Sequence, residues 1–178
     1  MIDTLFADAL HASGPAPDRA DKMALYGWLV GRWATEIVAH EPNGARHAGR
    51  GEIYAGWVLE GRAIQDVWMI PPRAERASAV AVMPVTGNWY GTTLRVYDPG
   101  LDVWHILWSD PTKAFFSRQI GRARGADIVQ EGALETGLRT RWSFTEIAPS
   151  SFRWTGEISP DGHDWRLQVE VSARRLSA

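Results

Sequence analysis

The sequence predicts an all-β fold: a closed or nearly closed antiparallel up-and-down barrel of about nine or ten strands, with one or two short N-terminal helices across one end. Three observations point there. From Trp33 onward, turn signals recur at strand-length intervals: Pro42-Asn43-Gly44, Leu59-Glu60-Gly61-Arg62, Asp98-Pro99-Gly100 and Ser159-Pro160-Asp161-Gly162. The last strands alternate apolar and polar residues, with Trp165, Leu167, Val169 and Val171 on one face against Arg166, Gln168 and Glu170 on the other. Helical spacing is confined to residues before Gly31, and so many strands joined by short turns hide their edges most simply by closing on themselves.

Taken in order, Leu5, Phe6, Ala9 and Leu10 fall at helical spacing before Gly14-Pro15-Ala16-Pro17 breaks the run, so residues 1–20 read as an arm or short helix. Asp18 or Asp21 is placed to cap a second helix that ends near Gly27 or Gly31 and carries Met23, Leu25, Trp28 and Leu29 as apolar surface. Strands are expected at 33–40, 49–59, 62–70, 89–97, 103–109, 115–122, 127–133, 138–147, 151–158 and 164–174, all in one domain spanning 1–178. Phe152, Trp154 and Ile158 should face inward opposite Arg153, Thr155 and Glu157, as should Trp142 and Phe144 opposite Arg141 and Ser143. Trp104, Ile106 and Trp108 compete with Val103, His105 and Leu107 for the interior. Placing the tryptophans inside turns His105 outward. Residues 71–88 are too long for a hairpin turn and read as a strand followed by a loop, with a lid over the barrel mouth as the alternative.

Length and composition limit the function. The 178 residues suffice for one domain with a sizeable core, and 45% hydrophobic with 22% charged residues is ordinary for a soluble protein. A net charge of −2 offers no basic face for phosphates, so nucleic acid is not an expected partner. The absence of cysteine removes disulfides, thiolate metal sites and a cysteine nucleophile. No stretch approaches the roughly 20 apolar residues that span a bilayer, so no membrane partner is expected. The first residues carry acids where a secretory signal carries lysines, so a cytoplasmic location is expected. Ten tryptophans are unusual for this length. They either fill a thick core or line a cavity for flat apolar ligands.

Gly31-Arg32-Trp33, where helix hands over to strand, resembles the first-strand Gly-x-Trp of the calycin superfamily, which includes lipocalins and fatty-acid-binding proteins. In those proteins the tryptophan packs beside a basic residue of the last strand. The resemblance implies that role for Arg174 or Arg175, a guanidinium over an indole face that ties the barrel wall together away from its mouth. The chain is also similar to the bacterial domain-of-unknown-function family 1579. The matching segments are 27–33, 57–62, 91–99, 104–110 and 151–157, and 71–88 departs from that pattern. That family implies a lipocalin-like barrel and no settled activity. Haem held by one histidine, as in another calycin branch, is compatible here only with His105 or His163.

The histidines His11, His40, His47, His105 and His163 are scattered, without the i, i+2 or i, i+4 spacing of ligand pairs, so no metal and no cofactor are expected. There is no nucleophile elbow, P-loop or dinucleotide fingerprint. Asp66 shares a strand face with Arg62, Ile64 and Trp68. If inward, it is a candidate for proton transfer, with His105 as a second. The plainer reading pairs Asp66 with Arg62 or Arg95. Trp68, Trp104, Trp108, Trp142 and Trp154 are the expected chamber lining or else core. Arg95, Tyr97, Arg118, Glu131 and Arg141 either add polar contacts or turn outward to solvent. Two functions follow: binding of a small apolar or aromatic molecule inside a tryptophan-lined cavity, or cofactor-independent isomerase, cyclase, hydratase or lyase chemistry in the same cavity. The expected partner is thus a small-molecule ligand or substrate. A homodimer, or a scaffold with no pocket, stays open.

Overall fold

The structure is a computed structural model and describes residues 4–76 and 88–177. Its first elements are helix α1 (Leu5–Leu10), the two-residue strand β1 (His11–Ala12) and helix α2 (Ala20–Gly27). Ten longer strands follow: β2 (Gly31–His40), β3 (Arg46–Val58), β4 (Ala63–Ile70), β5 (Trp89–Asp98), β6 (Val103–Asp110), β7 (Phe115–Arg124), β8 (Asp127–Ala133), β9 (Arg139–Ala148), β10 (Ser151–Ser159) and β11 (Arg166–Arg175). Each pairs antiparallel with its sequence neighbour, and β2 pairs with β11 from Trp33↔Arg175 to Ala39↔Val169, which closes the barrel. The predicted fold class is the observed one. The expected strand in residues 77–82 and most of the expected lid lie outside the described residues.

Alternation in sequence becomes inside and outside in space. Along β2, Trp33, Thr35, Ile37 and Ala39 are buried in turn, and along β5 so are Gly91, Thr93, Arg95 and Tyr97. Two pairings, β9–β10 and β10–β11, carry a register shift, and the second turns a predicted row. Gly156 pairs with Val169 but Glu157 pairs with Leu167, so Gln168 is an extra residue in β11, a β-bulge. Val169 and Val171 keep the predicted inward direction. The parity then changes, and Trp165 lies outside against the Arg141 guanidinium, 4.1 Å from the ring centroid. The uninterrupted inward row from Trp165 to Val171 is corrected by this single residue.

Helix α2 plugs one end. Met23, Tyr26 and Leu29 are fully buried, and the Tyr26 ring meets Trp104 and Phe144 edge-on at 4.9 and 6.3 Å. Neither predicted cap forms: Arg19 occupies the N-cap position without a side-chain bond. Asp18 instead accepts hydrogen bonds from Arg62 at 3.1 Å and Arg19 at 3.2 Å, which ties the approach to α2 to the β3–β4 turn. In α1, Leu5 and Phe6 are exposed. Among the described residues no helix is long and apolar enough to cross a membrane.

The plugged end is fastened by Arg175. Its guanidinium lies 4.1 Å above the Trp33 ring, donates to the Val30 carbonyl at 2.7 Å and the Pro149 carbonyl at 2.8 Å, and also reaches the Trp28 carbonyl. Gly31 makes this approach feasible. Its φ is +131°, and a Cβ there would come 2.5 Å from Arg175 Nη1. Arg174, on the opposite face of β11, is exposed.

Candidate functional site: a ring of tryptophans in the open end

With one end filled by α2, the space left in the barrel lies toward the other end. Among the described residues, a cavity of about 290 Å³ opens there. Its wall is built from five of the ten indoles. Trp68 touches Trp89, Trp89 touches Trp108, Trp108 touches Trp142, Trp142 touches Trp154, and Trp154 returns to Trp68, with centroid separations of 5.4 to 6.4 Å. The rings meet at 53° to 89°, so they form a cage of edges and faces instead of a stack. Inward alternation on β4, β5, β6, β9 and β10 delivers them. Close backbone approach seats two of them: a Cβ on Gly91 would fall 2.5 Å from the Trp108 ring, and one on Gly156 would fall 2.9 Å from Trp154.

The floor is polar. Thr93, Arg95 and Thr140 face the cavity. Arg95 is only 2% exposed, and its guanidinium sits 5.2 Å from the Tyr26 ring centroid and 5.7 Å from that of Phe144. Beneath it Asp66, fully buried, accepts from the Arg95 guanidinium through Oδ2 and from the Thr93 backbone N–H through Oδ1 at 3.1 Å. Tyr26 donates to Gln130 Oε1 at 3.1 Å, and burial pushes its phenol well above the usual range. Gln119 donates to Thr140 Oγ1 at 3.0 Å. Several polar atoms in and under this floor have no partner among the described residues, including Arg95 Nε, Trp68 Nε1, Ser117 Oγ, Gln119 Oε1 and Gln130 Nε2.

The rim carries Lys113. Asp110 caps a short turn, Pro111–Lys113, by accepting from the Thr112 backbone N–H at 3.0 Å, and the turn returns Lys113 to the cavity lining. Lys113 Nζ lies 3.7 Å from Asp110 Oδ2, an ion pair longer than a hydrogen bond, and 5.8 Å from the Trp89 ring centroid. Burial lowers the Lys113 pKa, the Asp110 carboxylate opposes that shift, and the Arg76 charge adds to it. Phe115, Leu134, Ile158 and Gln168 complete the rim, the last delivered by the bulge in β11.

Of the residues singled out from sequence, Trp68, Arg95, Trp108, Trp142 and Trp154 line the cavity. Trp104 and Tyr97 also face inward but sit at the plugged end, their rings 5.7 Å apart. Tyr97 spends its hydroxyl on Asp102 at 2.6 Å. Asp66 has the Arg95 partner, whereas Arg62 pairs with Asp18 on the surface. His105 is on the outer face, with Nε2 3.1 Å from Asp98 Oδ2 and Nδ1 3.2 Å from Arg118, so Arg118 is outside too. Arg141 pairs with Glu157 at 2.8 Å, and Glu131 is exposed. His163 is exposed in the β10–β11 turn. Among the described residues no three His, Asp or Glu side chains gather as metal ligands. Trp89, Asp110 and Lys113 were not singled out from sequence. The readable signal was Asp110-Pro111-Thr112, an N-cap residue followed by proline, which marks a short helical turn.

No family model matches the sequence. No curated protein matches it either. Solved structures do. Rv2717c from M. tuberculosis superposes with a TM-score of 0.57 at 13% identity over 92% of this chain and 99% of that one. The S-type phycobiliprotein lyase from Guillardia theta superposes with a TM-score of 0.60 at 11% identity over 87% and 92% of the two chains. At such identities the likeness is one of fold, and the fold is calycin-like.

Proposed function

We propose that the protein binds a small, flat aromatic molecule in the tryptophan cage of its open end. The closed ring of five indoles around the cavity supports this reading above any other observation. A core built only for stability has no need to leave about 290 Å³ open among its largest side chains, because unfilled volume costs stability. Small-molecule sites combine an apolar lining with a few polar groups, as here. A cytoplasmic location and a kinship with family 1579 belong to the same proposal and rest on the sequence.

The proton-transfer alternative has weaker support. Asp66 has both carboxylate oxygens occupied and does not itself line the cavity, and His105 stands on the other side of the wall. The lyase activity in one structural neighbour's description is a property of that protein. Binding can be tested with 2-naphthol, followed by tryptophan fluorescence. Saturable quenching is expected, and Trp142→Leu should weaken it roughly 2- to 10-fold, the equivalent of one aromatic contact. Quenching that never saturates, or that Trp142→Leu leaves unchanged, would overturn the reading.

A further inference from the structure

Among the described residues, the fully buried side-chain atoms of the cavity lining that lack a partner include more hydrogen-bond donors than acceptors. Trp68 Nε1 and Arg95 Nε are buried without a partner, and Lys113 Nζ stands 3.7 Å from its Asp110 counter-ion, beyond hydrogen-bond distance. Against these donors stands one fully buried acceptor of the lining without a partner, Asp110 Oδ2. Charge is uneven in the same sense. Arg95 is matched by Asp66 directly beneath it. At the rim, the one carboxylate paired with Lys113 among the described residues is that of Asp110. Arg76 donates to neutral acceptors, the carbonyls of Ile70 and Trp89 and the side-chain oxygen of Asn88, and its charge is felt at Lys113.

We infer that the ligand of the cage is an aromatic carboxylate, its ring held among the indoles and its carboxylate held at the rim by Lys113. This inference rests on the binding function proposed above. Lys113 is chosen over Arg95 because the Arg95 charge already has a buried partner, whereas Lys113 is partly desolvated with its counter-ion beyond hydrogen-bond reach. A carboxylate placed there satisfies the ammonium and offsets the neighbouring Arg76 charge. A neutral ring satisfies neither.

The test compares 2-naphthoate with 2-naphthamide, which has the same ring and shape but no charge, by calorimetry and fluorescence on the full chain. The naphthoate should bind at least about tenfold tighter, the value of one charge-assisted hydrogen bond. Lys113→Gln should reduce that preference to less than about twofold, while Lys113→Arg should keep most of it. Equal or tighter binding of 2-naphthamide to the wild-type protein overturns the inference. So does a naphthoate preference that survives Lys113→Gln, which would move the anchor to the floor. If 2-naphthol binds while the acid has no advantage, only the carboxylate assignment fails. If none of the three molecules binds, the cage itself is not a binding site.

Discussion

Replacing Asp66 by asparagine tests whether the floor of the cavity is held by a buried ion pair. The carboxylate is 0% exposed and its partner Arg95 2% exposed, so water screens neither. The substituted amide would keep an oxygen for the Thr93 N–H but turn its N–H₂ toward a guanidinium that is itself only a donor. Breaking a buried pair from one side costs about 3–5 kcal/mol, because the remaining charge is stranded. The Tyr26 and Phe144 faces beside Arg95 are the same in both proteins and cancel, while the amide oxygen kept for the Thr93 N–H puts the expected loss at the low end, about 3 kcal/mol. With a urea m-value of about 2 kcal/mol/M, the unfolding midpoint should fall by roughly 1.5 M without a change in slope. Adding Arg95→Met removes the stranded charge and should return stability to within about 1 kcal/mol of wild type. A loss below about 1 kcal/mol for Asp66→Asn, or a double variant no more stable than the single, would refute this account.

At the plugged end, Arg175→Met removes a cation over Trp33 and donors to three carbonyls, and should cost about 2 kcal/mol, read as a Tm lower by roughly 4–8 °C. Arg175→Lys should recover little of it, since one ammonium cannot span the three acceptors. In the β10–β11 turn, the backbone N–H groups of His163 and Asp164 and the Ser159 hydroxyl pull the Asp161 pKa from 3.8 down to about 2. A folded-state value below the unfolded one means a contribution present above pH 3.8 and lost as the pH falls toward about 2. Asp161→Asn should therefore flatten the decline of the urea midpoint across that window, and an unchanged decline would count against it.

The strands were legible because their signal is local. A period of 2 needs only neighbouring residues, so β6 placed its tryptophans correctly even where Val103, His105 and Leu107 competed. The bulge at Gln168 was not legible, since an extra residue is defined by the partner strand, and Arg166-Leu167-Gln168-Val169 alternates without a break until Gly156 and Glu157 are set beside it. Depth along the barrel was equally hidden. Trp104 and Trp108 share a face of one strand, yet the first packs against α2 and only the second lines the cavity. Asp66 shows the same limit: its strand face was legible but not the direction of that face, and whether Arg62 or Arg95 answers its charge depends on which neighbouring strand brings a guanidinium to the same level. Lys113 lay in a three-residue turn with no period to read.

The β2–β11 seam has a consequence for how the chain acquires its shape. Arg175 and the carbonyls of Val30 and Trp28 that it binds are 145 and 147 positions apart. During synthesis, β2 emerges early and pairs with β3, but its other edge has no partner until nearly the whole barrel has been translated. Closure of so distant a pair is slow, on the order of milliseconds to seconds for β topologies. In that interval a strand carrying Trp33, Ile37 and Ala39 stands open to pairing with another nascent chain. Its outward residues include Arg32 and Glu36, and those two charges are the main defence of the open edge. Slower closure should therefore appear first as aggregation on the way to the native state, at concentrations where the finished barrel stays dispersed.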